Sequence, residues 1–166
     1  MKKYAPLAAL LAAVLAGIWL YRQCFPPPEL AIKNRLLALA SLASFSPNQA
    51  PLARMANASR LVDFFARDIE IHLPEAPPGL AHLSGRENLR EIILGARGQA
   101  QSMSVHFPDI QVAVNPDGAS GTATVTAVAD LNAEANAMVQ EVRFSLRKEN
   151  GAWLIARVDS LKALDR

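Results

Sequence analysis

The chain has 166 residues, 51% of them hydrophobic and 19% charged, with a formal charge of +2. That length and apolar content suit one domain of ordinary size plus an appendage. Lys and Arg are scattered instead of forming a stripe, which excludes nucleic acid as the expected partner, and the single cysteine, Cys24, excludes an intramolecular disulfide.

Residues 1–25 read as a membrane anchor. Lys2 and Lys3 precede an uncharged run from Tyr4 to Tyr21, about 18 residues and near the lower limit for a spanning helix. Trp19 and Tyr21 stand at its far end, where amphipathic rings favour the membrane interface. The amino terminus, Lys2 and Lys3 outweigh Arg22, so a single-pass protein of the inner (cytoplasmic) membrane is expected, its domain facing the periplasm or the outside. The alternative is a secretory signal cleaved after Val14-Leu15-Ala16, which would leave the apolar Ile18-Trp19-Leu20-Tyr21 on the mature protein. The residues before Cys24 do not form a lipobox, and Pro26-Pro27-Pro28 is a short, stiff spacer.

The domain is expected over residues 29–166. A first helix, residues 29–45, carries Leu30, Lys33, Leu37 and Ala40 on one side, and a second runs over 51–65 with Pro51 in its first turn. Ile69, Ile71 and Leu73 alternate with Glu70 and His72, the period of a half-buried strand. Pro74, Pro77, Pro78 and Gly79 end that strand. Ser84 and Glu87 have the spacing of a capping box for a third helix, whose apolar face is Leu89, Ile92, Ile93 and Ala96. Four strands follow, 104–114, 119–130, 138–148 and 152–161. Asn115-Pro116-Asp117-Gly118 has type I turn chemistry, and Asn150-Gly151 is the strongest short hairpin signal. Helices followed by consecutive hairpins predict an α+β domain. No internal repeat or second domain is evident.

Phe64 to Asp68, Ile69 to Pro74 and Leu83 to Leu89, in this order and followed by hairpins, resemble the nuclear transport factor 2-like superfamily over residues 29–164. That superfamily includes ketosteroid isomerase, scytalone dehydratase, SnoaL-like polyketide cyclases and many non-catalytic modules. The resemblance implies a cone: a curved antiparallel sheet wrapped around three N-terminal helices, here preceded by one transmembrane helix. It also implies an interior able to hold a small apolar ligand and an outer sheet face that can pair into a homodimer. The Thr122, Thr124, Thr126 row and Arg143 with Arg147 fall on that outer face.

The isomerase-type general base would stand at Leu73, ahead of Pro74, and leucine accepts no proton. The tyrosines, Tyr4 and Tyr21, lie outside the domain, so the oxyanion-stabilising group is missing as well. His72 is the best remaining acid–base candidate, but strand alternation turns it away from an interior lined by Ile71 and Leu73. His106 has the same parity problem, and His82 falls in the Pro/Gly loop. Asp130, at a strand end, is the acid to examine at a cone mouth. No metal-ligand spacing, serine elbow or phosphate loop occurs, so neither metal nor cofactor is expected. Phe64, Phe65, Ile71, Leu73, Leu89, Ile93, Phe144 and Trp153 would line either an apolar pocket or a filled core. The expected function is a membrane-anchored, non-catalytic domain that binds a partner protein or a small apolar ligand in the cell envelope. The rival is a dehydratase-, isomerase- or cyclase-like enzyme using His72 or Asp130.

Overall fold

A computed structural model describes residues 27–74, 81–132 and 137–161, together with 14, 15 and 17. Almost all of the expected anchor therefore lies outside the described residues, as do 75–80 and 133–136 of the two polar loops. Among the described residues, no helix is long and apolar enough to cross a membrane.

Helix α1 spans Pro28–Ala43 and α2 spans Pro51–Val62, each with proline in its first turn, where the missing N–H costs nothing. Glu29 suits the positive end of the α1 dipole. The buried side of α1 is Ile32, Leu36, Leu39 and Ala40, whereas Leu30 and Leu37 are nearly half exposed. This corrects the expected Leu30–Leu37 stripe. The helix is apolar on more than one side, and contact with the sheet, not internal periodicity, selects the face that is covered.

Strand β1 (Phe65–His72) begins directly after α2, four residues earlier than the alternation predicts. Its first half is irregular, with a register shift between Phe65 and Glu70 that masks the period of two. A three-residue strand, β2 (His82–Ser84), returns antiparallel to it. Helix α3 spans Arg86–Gln99 and starts from Gly85 at φ +87°, a conformation other residues resist. The expected capping box is not formed: Ser84 is held extended opposite Glu70 in the ladder, and its carbonyl instead accepts from Asn88 Nδ2 at 2.7 Å.

Strands β3 (Met103–Val114), β4 (Ser120–Leu131), β5 (Met138–Glu149) and β6 (Ala152–Leu161) form the antiparallel meander. The Gly118 N–H closes the first turn onto the Asn115 carbonyl at 2.9 Å. Asn150 and Gly151 both take positive φ, as a two-residue hairpin turn requires. The sheet order is β2-β1-β6-β5-β4-β3. β1 runs parallel to β6, so the sheet is mixed and not wholly antiparallel as expected. Two helices precede the first strand and the third follows it, in the expected order. A parallel neighbour needs a long crossover, which α3 and the meander supply.

The core joins Ile32, Leu36 and Leu39 of α1 to Val62, Phe64, Phe65 and Ile69, and these to Val125, Phe144, Trp153 and Ile155 of the sheet. Gly121 sits where α1 crosses β3 and β4. A Cβ there would lie 2.9 Å from the Ala113 carbonyl oxygen and 3.4 Å from Ile32 Cδ1. In α3, a Cβ on Gly95 meets nothing within 4 Å. Gly121→Ala should therefore destabilise the fold by about 1–3 kcal/mol, while Gly95→Ala should stabilise it by about 0.5–1 kcal/mol. Thermal unfolding of the two variants checks the opposite signs.

Candidate functional site

Three places compete: the cone interior, the edge where β1 meets β2, and the strand end bearing Asp130. The interior is a packed core. Phe64, Phe65, Leu89, Phe144 and Trp153 are 5–8% exposed and belong to one cluster, with Ile71 and Ile93 packed against it. The rings of Phe107 and Phe144 meet at 6.2 Å, tilted by 59°, as aromatic pairs prefer. Leu73 is half buried just beyond β1, its N–H donating to the Ala81 carbonyl at 2.9 Å. Among the described residues, the one buried charged side chain is Arg97, and it sits at the helical end of the molecule. Among the described residues, no carboxylate or imidazole belongs to the aromatic cluster, and the Arg35 guanidinium lies over the Phe64 ring at 3.8 Å.

His72 does find a partner. The β1–β2 register sets it opposite His82, and the two Nδ1 atoms are 2.8 Å apart with the rings 4.2 Å between centroids. His82 thus lies on a strand and not in the loop. One imidazole must donate and the other accept. The pair borders an open groove of about 260 Å³ lined by Glu70, Ile71, Leu83, Ser84 and Arg157. The nearby carboxylates are already engaged: Arg157 binds Glu70 at 3.1 Å and Asp159 at 2.9 Å. The Asp159 hydrogen bond, reinforced by its charge, raises the Arg157 pKa above the ordinary arginine value.

Asp130 pairs in register with Ser104 on the outward parity of β4, and His106, two residues further along β3, pairs with Val128 on the same parity. Asp130 borders a shallow groove with Phe45, Pro47 and Ser102. The strand order puts β1 and β2 at one edge of the sheet and β3 at the other, so His72 and Asp130 are not brought together. Thr122, Thr124, Thr126 and Arg143 occupy the outer face between those edges, with Thr124 opposite Arg143 and Arg143 opposite Asp159.

Two features escaped the residue pattern. The histidine pair depends on β2, whose three residues are too few to show a period. Arg97 takes the buried place expected for Ala96. The spacing Leu89, Ile93, Arg97 continues the helix face by four and four, a signal hidden because the third member is charged.

This architecture, a sheet wrapped over one long helix and closed by two shorter ones, defines an α+β cone. A SnoaL-like domain model matches residues 35–159, and the chain belongs to that family. Comparison with curated proteins gives no match. Solved structures share the fold at low identity. A candidate scytalone dehydratase from Novosphingobium aromaticivorans has TM-score 0.59 and 16% identity, over 81% of this chain and 83% of its own. A candidate dehydratase of the NTF2-like family from Streptomyces avermitilis has TM-score 0.60 and 14% identity, over 82% and 96%. An NTF2-like protein with a cystatin-like fold, also from N. aromaticivorans, has TM-score 0.57 and 17% identity, over 96% and 90%.

On the outer face, Arg147 forms a bidentate pair with Asp68 and a second contact with Glu149. The Arg147 hydrogen bond holds the Asp68 carboxyl below its ordinary pKa. A depressed native pKa contributes stability above the unfolded value of about 3.9 and loses it as pH falls through the native value. Asp68→Asn should therefore lower stability at pH 7 and lower it less at pH 2. Urea unfolding of both proteins at both pH values checks this.

Proposed function

We propose that the chain is a membrane-tethered, non-catalytic binding domain that faces outward from the cytoplasmic membrane. It meets a partner protein, a second copy of itself in the simplest case, through the outer face of its sheet. The observation that carries this reading is the apolar interior: Phe64, Phe65, Phe144 and Trp153 pack in one buried cluster, and among the described residues no carboxylate or imidazole belongs to it. The outer face supports the second half. Its Thr, Ser and Arg rows are polar and regularly spaced, and such a surface suits a moderate, reversible interface. The tether rests on the uncharged run from Tyr4 to Tyr21 and its flanking charges.

The lone thiol tests the topology. Cys24 follows the expected span directly, so a membrane-impermeant maleimide should label it in cells whose outer barrier is opened but whose inner membrane is intact. Labelling only after lysis, or a soluble chain shortened by a signal peptide, removes the tether. Pairing is tested by sedimentation of the full chain in detergent. Thr124→Glu should weaken self-association about tenfold or more, with Leu52→Glu on α2 as the unaffected control. A monomer before mutation excludes the self-pairing form.

A second reading has one observation in its favour: the 2.8 Å contact between His72 and His82 beside an open groove. A dehydratase- or cyclase-like enzyme would use one imidazole as base and the other to set its tautomer. Turnover of a small carbonyl compound lost in both His72→Ala and His82→Ala would favour it.

A further inference from the structure

A cleft of about 390 Å³ opens between α2 and α3, away from the strands. Pro47, Met55, Ala58 and Leu94 supply apolar walls, and Gln49, Arg54 and Arg97 supply the polar lining. Met55 and Leu94 are exposed at its rim, at 61% and 39%. This is the composition of a small-molecule site: mostly apolar, with a few polar groups converging.

Its electrostatics are unbalanced. Arg97 is 6% exposed, and its guanidinium donates to the carbonyls of Leu42 and of Arg54, the latter at 3.1 Å. Arg54 donates to the Ser46 and Pro47 carbonyls at 3.4 and 3.3 Å. Both guanidinium carbons approach the ring of Phe45, at 5.2 and 5.4 Å. Among the described residues, no carboxylate pairs with either arginine. Burial, and then repulsion from Arg54, lower the Arg97 pKa. Carbonyls and a ring face disperse the charge without cancelling it, and a buried cation normally has an anion beside it. Two polar atoms belonging to cleft-lining residues, Arg54 Nε and Gln49 Oε1, are buried with no hydrogen-bond partner. Satisfied interiors leave few such atoms.

The geometry points to this cleft as a binding site for a small organic carboxylate. The anionic end sits between Arg54 and Arg97, and a compact apolar body lies against Met55, Ala58 and Leu94. This site goes beyond the function proposed above, which does not use the cleft.

Phenylacetate is the probe, titrated by calorimetry into the full chain in detergent, with 2-phenylethanol and inorganic phosphate as comparisons. Phenylacetate should bind at least about tenfold more tightly than either, because only it offers both an anion and an apolar body. Arg54→Gln should remove that preference. Gly98→Leu provides a second arm: Gly98 lines the cleft, and a Cβ there meets nothing within 4 Å. The larger side chain should fill the cleft and abolish binding while keeping the helix, verified by an unfolding temperature at or above that of the parent. Equal binding of the alcohol overturns the anion role, and equal binding of phosphate overturns the apolar one. Undiminished phenylacetate binding in a folded Gly98→Leu variant overturns the site itself. None of these readouts depends on membrane topology or self-association.

Discussion

The parallel pairing of β1 with β6 is the contact on which the architecture depends. It joins a strand formed before α3 to the last strand of the chain, setting Ile71 beside Val158 and His72 beside Asp159. Without it α1 would still lie across β3 and β4, but β1, β2 and the α3 that packs on them would lose their attachment to the meander's last strand. Ile69 and Ile155 are both fully buried at this junction. The register shift inside β1 lets Phe65 pair with Ile155 while Glu70 pairs with Arg157, bending the strand toward the helices. A second shift, in β5–β6 after Ser145, and a third, in β3–β4 after His106, continue the bend across the sheet.

Curvature decides what the interior can be. A bent sheet over one long helix encloses a limited volume, and here large side chains reach into it from both sides. Ile32 and Leu36 enter from α1, and Phe144, Trp153 and Ile155 from the sheet. These side chains form the apolar core that stabilises the fold. Strand alternation has a second effect. Glu70, His72, Arg157 and Asp159 share the outward parity of the β1–β6 pair, so the ionisable groups of that edge face away from the core together. Glu70, Arg157 and Asp159 pair with one another on the surface, and His72 meets His82, instead of being desolvated inside. The same alternation that makes the core apolar therefore gathers the charged chemistry on the outer face.

Much of this was legible in the residues. The hairpin turns at Asn115–Gly118 and Asn150–Gly151, the four long strands and the order of elements follow from turn chemistry and a period of two. The α+β class follows from that order. Less legible were features imposed by tertiary contact. Helix α1 has apolar residues on more than one side, so Leu30 and Leu37 were as plausible a buried face as Ile32 and Leu36 until the sheet selected one. The Ser84–Glu87 spacing is a sound cap, but Ser84 is already engaged opposite Glu70 in the ladder. The β1–β6 pairing, with partners nearly ninety residues apart, leaves no local trace. At the candidate site, the outward parity of His72 could be read from alternation. Its contact with His82 could not, because a three-residue strand carries no period.

Arg97 shows where local pattern and global structure part company. A helix face spaced Leu89, Ile93, Arg97 should by composition end at Ile93, with the arginine turned to solvent. The protein instead buries the guanidinium and surrounds it with backbone carbonyls from the end of α1 and from α2. As a clamp joining three helices this is a costly choice, since a leucine would fill similar space without desolvating a charge. A long polar side chain with carbonyl contacts would hold the helices nearly as well as the charged one does. What the positive charge adds is a field at the floor of an open, apolar-walled cleft, strengthened by Arg54 and opposed by no acid among the described residues. Packing alone gives no reason for that field, whereas an anion entering from solvent does.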